Sequence, residues 1–150
     1  MRLYAKQIRE NIIDFLKNNL DAKLQAIDAD FLIWPKNKVQ TYSGYAISRM
    51  FPECVVLVSQ GQNGEQSLNA IEFSQENYTV NIEISVKEAD QEKLNLILDS
   101  YEQGIKELLH GADIGATFCY YQDFRRGALV DERNGAIFDG LIFTFLVRTN

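Results

Sequence analysis

Between Tyr78 and Leu109 the polarity of the chain changes its period once, and that change constrains the fold more than any other feature. From Tyr78 to Lys87 the even positions Tyr78, Val80, Ile82, Ile84 and Val86 are apolar, while Thr79, Asn81, Glu83, Ser85 and Lys87 between them are polar. Alternation of this kind marks a half-buried strand. After Glu88 and Ala89 the spacing becomes helical, with Leu94, Ile97, Leu98, Tyr101, Ile105, Leu108 and Leu109 on one stripe. A strand with one wet face feeding a helix with one dry stripe requires both to share a core.

Both ends of that helix carry their own signals. Asp90 is placed to cap it, Gln91 and Glu92 open its first turn, His110 falls in its last turn and Gly111 lies just past it. Upstream, Ala5, Ile8, Ile12, Phe15, Leu16, Leu20, Leu24 and Ile27 form a second helical stripe opposite Lys6, Arg9, Glu10, Asp14 and Lys17. The run Asn18-Asn19-Leu20-Asp21 suggests a break, with Asp21 capping a second piece, and Leu32-Ile33-Trp34-Pro35 ends the helix. Residues 36–50 show neither period and read as an irregular connection.

Glu53 to Ser59 is a short apolar run that fits a strand covered on both sides. Gly61 to Ser67 has the composition of a polar loop tip, Ala70 to Phe73 reads as a second short strand, and Gln75-Glu76-Asn77 as a turn. The remainder is strand signal: Gly115 to Phe124, Ala128 to Glu132, then Ala136 to Arg148 behind Asn134-Gly135. An Asn-Gly pair between extended runs favours a hairpin, because both central residues of a type I′ turn take positive φ. Along the last strand Leu141, Phe143, Phe145 and Val147 share the core face. Ile142, Thr144, Leu146 and Arg148 share the other, which is too apolar for plain solvent and calls for cover by the N-terminal helix or another subunit. The expected class is α+β: one domain over residues 1–150, with a mainly antiparallel sheet packed against a long N-terminal helix and a second central amphipathic helix.

Composition narrows the function. In 150 residues, 46% hydrophobic content fills one core without a disulfide or metal staple. A net charge of −6 argues against sequence-independent gripping of nucleic acid. Cys54 and Cys119 lie inside apolar runs with no partner at metal spacing and read as buried reduced thiols. With no signal-like start and no apolar run long enough to span a bilayer, the protein is expected to be soluble and made in the cytoplasm.

Candidate chemistry is sparse. His110 is the only histidine, and it reads as a helix-terminal residue because no Ser-His-Asp or Cys-His grouping can be built around it. Asp28-Ala29-Asp30, with Asp14 and Asp21 upstream, lacks the alternating oxygen ligands and closing Glu of a calcium loop, since Phe-Leu-Ile-Trp follows. Gly61-Gln62-Asn63-Gly64 leads into a strand and has no Gly-Lys-Ser/Thr, so it reads as a contact loop and not a phosphate cradle. Arg125-Arg126-Gly127 is the one compact basic spot, placed between two strands, and reads as a solvated turn. Phe118, Tyr120, Tyr121 and Phe124 have no interleaved basic residues, which favours core and interface over base stacking.

The strand–turn–strand from Ala70 to Val86, the helix from Asp90 with Tyr101 inside it, and the ending Gly135-Ala136-Ile137-Phe138-Asp139-Gly140-Leu141-Ile142-Phe143-Thr144-Phe145-Leu146-Val147-Arg148 together resemble the tail terminator or tail-completion proteins of long-tailed bacteriophages, and the related minor structural proteins of the head–tail joint. The resemblance covers roughly residues 50–150 and rests on the order of residue types; the segment with Tyr42, Tyr45, Arg49 and Met50 is longer and more aromatic than that order requires. It implies a non-enzymatic virion protein, present in the host cytoplasm during assembly. It further implies a self-associating ring, usually a hexamer, that ends tail-tube growth and meets the tail tube protein and head connector proteins. DNA would pass through without specific binding, no membrane would be involved, and no catalytic residue, metal or cofactor is implied. An acidic lumen suits sliding DNA, and a ring subunit makes heterologous contacts. Candidate interface residues are Gln62, Asn63, Gly64 and Glu65 on the loop, Asn81, Glu83 and Ser85 on the wet strand face, Arg125 and Arg126, and Ile142 and Leu146. The competing expectations are a small intracellular α/β protein-binding module and a hydrolase using Asp28 or His110.

Overall fold

The computed structural model describes residues 5–27, 38–45, 50–60, 76–115, 117–131 and 136–149. Its elements run α1 (Ala5–Ile27), β1 (Thr41–Ser43), β2 (Glu53–Gln60), β3 (Glu76–Val86), α2 (Gln91–Leu109), β4 (Thr117–Asp131) and β5 (Ala136–Thr149). The strands form one five-stranded sheet in the order β1-β2-β3-β5-β4. Only β1 and β2 are parallel; the other neighbours are antiparallel. The class is α+β, with a mainly antiparallel sheet against a long N-terminal helix and a central amphipathic one.

The two periods do what their chemistry requires. Val80, Ile82 and Ile84 of β3, Leu141, Phe143 and Phe145 of β5, and Cys54 and Val56 of β2 all enter one core. Ile8, Ile12, Leu16, Leu20 and Leu24 of α1 and Leu94, Ile97, Tyr101, Ile105 and Leu109 of α2 fill it from the same side. Phe143 stacks between Phe124 and Phe145, with ring centroids 6.1 and 6.4 Å away. The helices touch at Gly104, where an added Cβ would lie 3.0 Å from Leu24 Cδ2. Both helices therefore cover one face of the sheet.

Several local expectations need correction. α1 is one unbroken helix through Asn18 to Asp21. Asn19 Nδ2 donates to the Phe15 carbonyl at 2.8 Å, and Leu16, Leu20 and Leu24 are wholly buried across the suspected break. Tertiary burial outweighs the weak helix preference of the Asn pair. Residues 36–50 contain a short strand, Thr41–Ser43, paired in parallel with β2. β3 already begins at Glu76 inside the expected turn, and its first pair is Glu76 with Thr149. The basic run 125–127 does not separate two strands, because β4 is continuous from Thr117 to Asp131. β2 is not covered on both sides along its length, since Leu57 is 39% exposed. The expected strand at 70–73, the loop 61–67 and the Asn134-Gly135 turn lie outside the described residues.

α2 ends where the sequence places it. Asp90 accepts from the Glu92 and Lys93 amides at 3.0 and 3.3 Å, and the His110 amide donates to the Lys106 carbonyl at 3.1 Å. Gly111 takes φ 75°, which turns the chain back along the outer edge of β4. There the Gly111 amide donates to the Cys119 carbonyl at 2.8 Å and the Cys119 amide to the Ala112 carbonyl at 3.1 Å. Part of an edge strand is thereby shielded from stray pairing.

Candidate assembly interface

The face of the sheet away from the helices is organised by register. One row across β2, β3, β5 and β4 reads Val55, Glu83, Ile142, Arg125; the next reads Leu57, Asn81, Thr144, Asp123; a third reads Ser59, Thr79, Leu146, Tyr120. A register shift between Tyr121 and Asp123 makes this arrangement possible. Before it, Tyr120 shares the outer face and Tyr121 packs against the core; after it, Phe124 packs against the core and Arg125 is exposed.

One corner of this outer face is closed. Glu53, Val55 and Ser85 are 1%, 2% and 7% exposed. Elsewhere Glu83, Asn81, Thr79, Ile142, Thr144 and Leu146 are half-buried, and Tyr120, Asp123 and Arg125 are exposed. The Thr144 hydroxyl donates to Asn81 Oδ1 at 3.0 Å, a bond that does not use the two Asn81 amide donors. The Arg148 guanidinium lies 5.7 Å from the Tyr120 ring centroid. Burial, and then the carboxylate of Glu53, hold the Glu83 carboxyl above its ordinary range.

The expected interface residues do not all fall together. Asn81, Glu83, Arg125, Ile142 and Leu146 share this face. Ser85 is on the same side but buried. Arg126 is on the helix side, where it bonds Asp99 Oδ1 of α2 at 2.7 Å. Arg125 and Arg126 are therefore not one basic spot, because adjacent residues of a strand point to opposite faces. Gln62, Asn63, Gly64 and Glu65 lie outside the described residues.

His110 has a structural task. Its Nδ1 accepts from the Tyr121 amide at 3.0 Å, satisfying an outward-facing donor of the β4 edge and placing the ring proton on Nε2. Beside it a shallow pocket of about 310 Å³ is lined by Lys106, Glu107, His110 and Tyr121. Lys106 is already engaged, 3.1 Å from Glu102 and 3.9 Å above the Phe124 ring centroid. The Glu107 carboxyl is lowered, first by its hydrogen bond from Lys23, at 3.1 Å.

Both thiols are buried and unpaired with each other. Burial pushes Cys119 up to about 12 and Cys54 higher still, with Glu53 and Glu83 adding to the latter. Burial likewise raises Tyr42 and Tyr101, to which Cys54 and Asp21 also contribute. These shifts run opposite to those that activate a nucleophile. Among the described residues no group of three or more His, Cys, Asp or Glu is placed to hold a metal ion, and no helix is long and apolar enough to cross a membrane. Asp28 and Asp30 lie outside the described residues. The chain matches no protein-family model and no curated protein sequence.

Sequence reasoning missed two members of the outer face. Tyr120 stands beside Tyr121 and Phe124, which face the core, and simple alternation does not assign Asp123 a face, because the register shift that sorts them breaks the period. The signal available was the pairing of Phe124 with Arg125, an apolar and a charged residue next to each other late in an otherwise long strand.

Proposed function

We propose that this chain is a non-enzymatic structural subunit that works by self-association, as a tail terminator or head–tail joining ring of a long-tailed bacteriophage. Its partners on this reading are further copies of itself, the tail tube protein and the head connector proteins, with DNA passing through the ring unbound. The observation that carries the reading is the outer face of the sheet. Both described helices pack on the opposite side, so the interior strand β5 offers Ile142 and Leu146, with Tyr120 beside them on β4, to something other than α1 and α2. A sheet face with apolar residues at its centre and charges at its margin is built for a macromolecular contact. The order of elements from β3 to β5 supports the phage assignment through the resemblance described above. The net charge of −6 suits a wall past which DNA slides.

The test is a capping assay. Purified protein is mixed with polymerising tail tubes and imaged by negative stain, and the free protein is followed by light scattering at high concentration. Tubes of limited length with a ring at one end support the proposal. A protein that forms no ring and leaves tube growth unchanged overturns it.

A further inference from the structure

The outer face carries charges that the monomer does not use. Glu83 and Arg125 sit in the same row on either side of Ile142, two strand spacings apart, which is roughly 10 Å. No ion pair joins them, and neither makes a hydrogen bond or salt bridge with another of the described residues. In the next row Asn81 and Asp123 flank Thr144 in the same way. Asn81 has amide donors left over once Thr144 has bonded its oxygen, and Asp123 is acceptor-only. In both rows the residue on β3 and the residue on β4 are complementary, and they are equidistant from β5.

We infer that a second copy of this chain packs face to face on this sheet, related by a two-fold axis lying over β5. Such an axis exchanges the β3 side of one copy with the β4 side of the other. Glu83 then meets Arg125 of the second copy and Asn81 meets its Asp123, each contact occurring twice, while Ile142 and Leu146 meet their own equivalents along the axis. An isologous contact must be self-complementary in this manner. Packed sheets cross at about 30°, which at the Glu83–Arg125 row displaces facing residues by only roughly 3.5 Å when the crossing is at Thr144. At the Arg148 row the displacement is about 7 Å, which separates the two like-charged guanidinium groups. The overlap of three strands over four rows is roughly 400 Å² of flat sheet per copy, well under the usual interface, so the pair is reversible. This pairing concerns the free protein and does not depend on the tail-completion reading.

The experiment is sedimentation velocity of the full chain across a concentration series, with Glu83→Arg, Arg125→Glu, their mixture and the double variant. Wild type is expected to shift reversibly from monomer to dimer. Each single variant sets like charges opposite each other twice and should weaken the dimer at least about tenfold. Mixed in equal amounts, the two singles restore complementary pairs and should form dimers, as should the double variant. Far-ultraviolet circular dichroism establishes that each variant is folded; Arg125 is exposed, so Arg125→Glu alone carries the test if Glu83→Arg does not fold. The inference is overturned by a wild type that stays monomeric, by Arg125→Glu dimerising like wild type, or by a folded pair of singles whose mixture is no heavier than its parts. It is also overturned if the wild type associates only into closed rings larger than dimers, an outcome that leaves the tail-completion proposal standing. Charge-dependent dimers that fail to cap tubes do the reverse.

Discussion

A methyl group added at Gly104 sets two effects of similar size against each other. In an isolated helix Gly104→Ala stabilises by about 1 kcal/mol, because alanine loses less backbone freedom. Here the new Cβ would lie 3.0 Å from Leu24 Cδ2 and 3.6 Å from Ile27 Cδ1, where α2 packs against α1. Leu24 is 0% exposed, so its methyl has no solvent to move into. Overpacking of such a site costs about 1–3 kcal/mol, and the expected net effect is a loss of roughly 1 kcal/mol. Leu24→Ala removes the obstacle at a cost of about 2–5 kcal/mol for the cavity. In that background Gly104→Ala should stabilise by roughly 1 kcal/mol, so its sign reverses and the coupling between the two sites is about 2 kcal/mol. Urea unfolding of the four proteins reads this directly, with unchanged slopes showing that only stability has moved. Equal shifts from Gly104→Ala in both backgrounds would refute the close approach of the helices as the reason for this glycine.

Asp90→Ala should cost about 1 kcal/mol by freeing the Glu92 and Lys93 amides, and Asp90→Asn should recover most of it in the same urea assay. Cys54 and Cys119 should react with a thiol-specific disulfide reagent at pH 8 only as fast as the protein unfolds; prompt labelling of the native state would contradict their burial. Because both folded values lie above the unfolded one, the native state retains protons that the unfolded chain releases. That contribution is complete below the unfolded thiol range and is lost as pH climbs through and beyond it, so alkaline melts should show falling stability that Cys119→Ala partly removes. Glu83 is also raised, so the native state is at no disadvantage while this carboxyl is protonated and loses stability as pH rises through the carboxylate range. Glu83→Gln, which mimics the protonated form, should therefore raise the melting temperature of the monomer at pH 7 and leave it unchanged at pH 3. A loss at pH 7 would show that the carboxylate is stabilised instead.

The parts of the fold set by side-chain period were legible. Alternation at Tyr78 to Val86 and at Leu141 to Val147 named the inner faces of β3 and β5 correctly, and the helical stripe named the buried side of α2 with its Asp90 cap. What period alone does not encode was missed. The unbroken course of α1 past Asn18 to Asp21 depends on Leu16, Leu20 and Leu24 being buried by other elements, and β1 exists only because β2 lies beside it. The outer face was half legible for the same reason. Asn81, Glu83, Ile142 and Leu146 follow from alternation, whereas the separation of Arg125 from Arg126 depends on where β4 breaks step.

That break in step ties core and surface together. A regular ladder would set Gln122 opposite Thr144, and every later residue of β4 would change face. Phe124 would then leave its stack on Phe143, and Asp123 and Arg125 would point into a core whose members at that depth, Leu141 and Phe143, are fully buried. Burying two charges without partners costs far more than the ladder bonds lost at a bulge. The demand of the core for Phe124 therefore fixes the bulge, and the bulge in turn fixes Arg125 and Asp123 in rows with Glu83 and Asn81. The same residues that complete the interior on one side of β4 thus determine which charges the outer face carries.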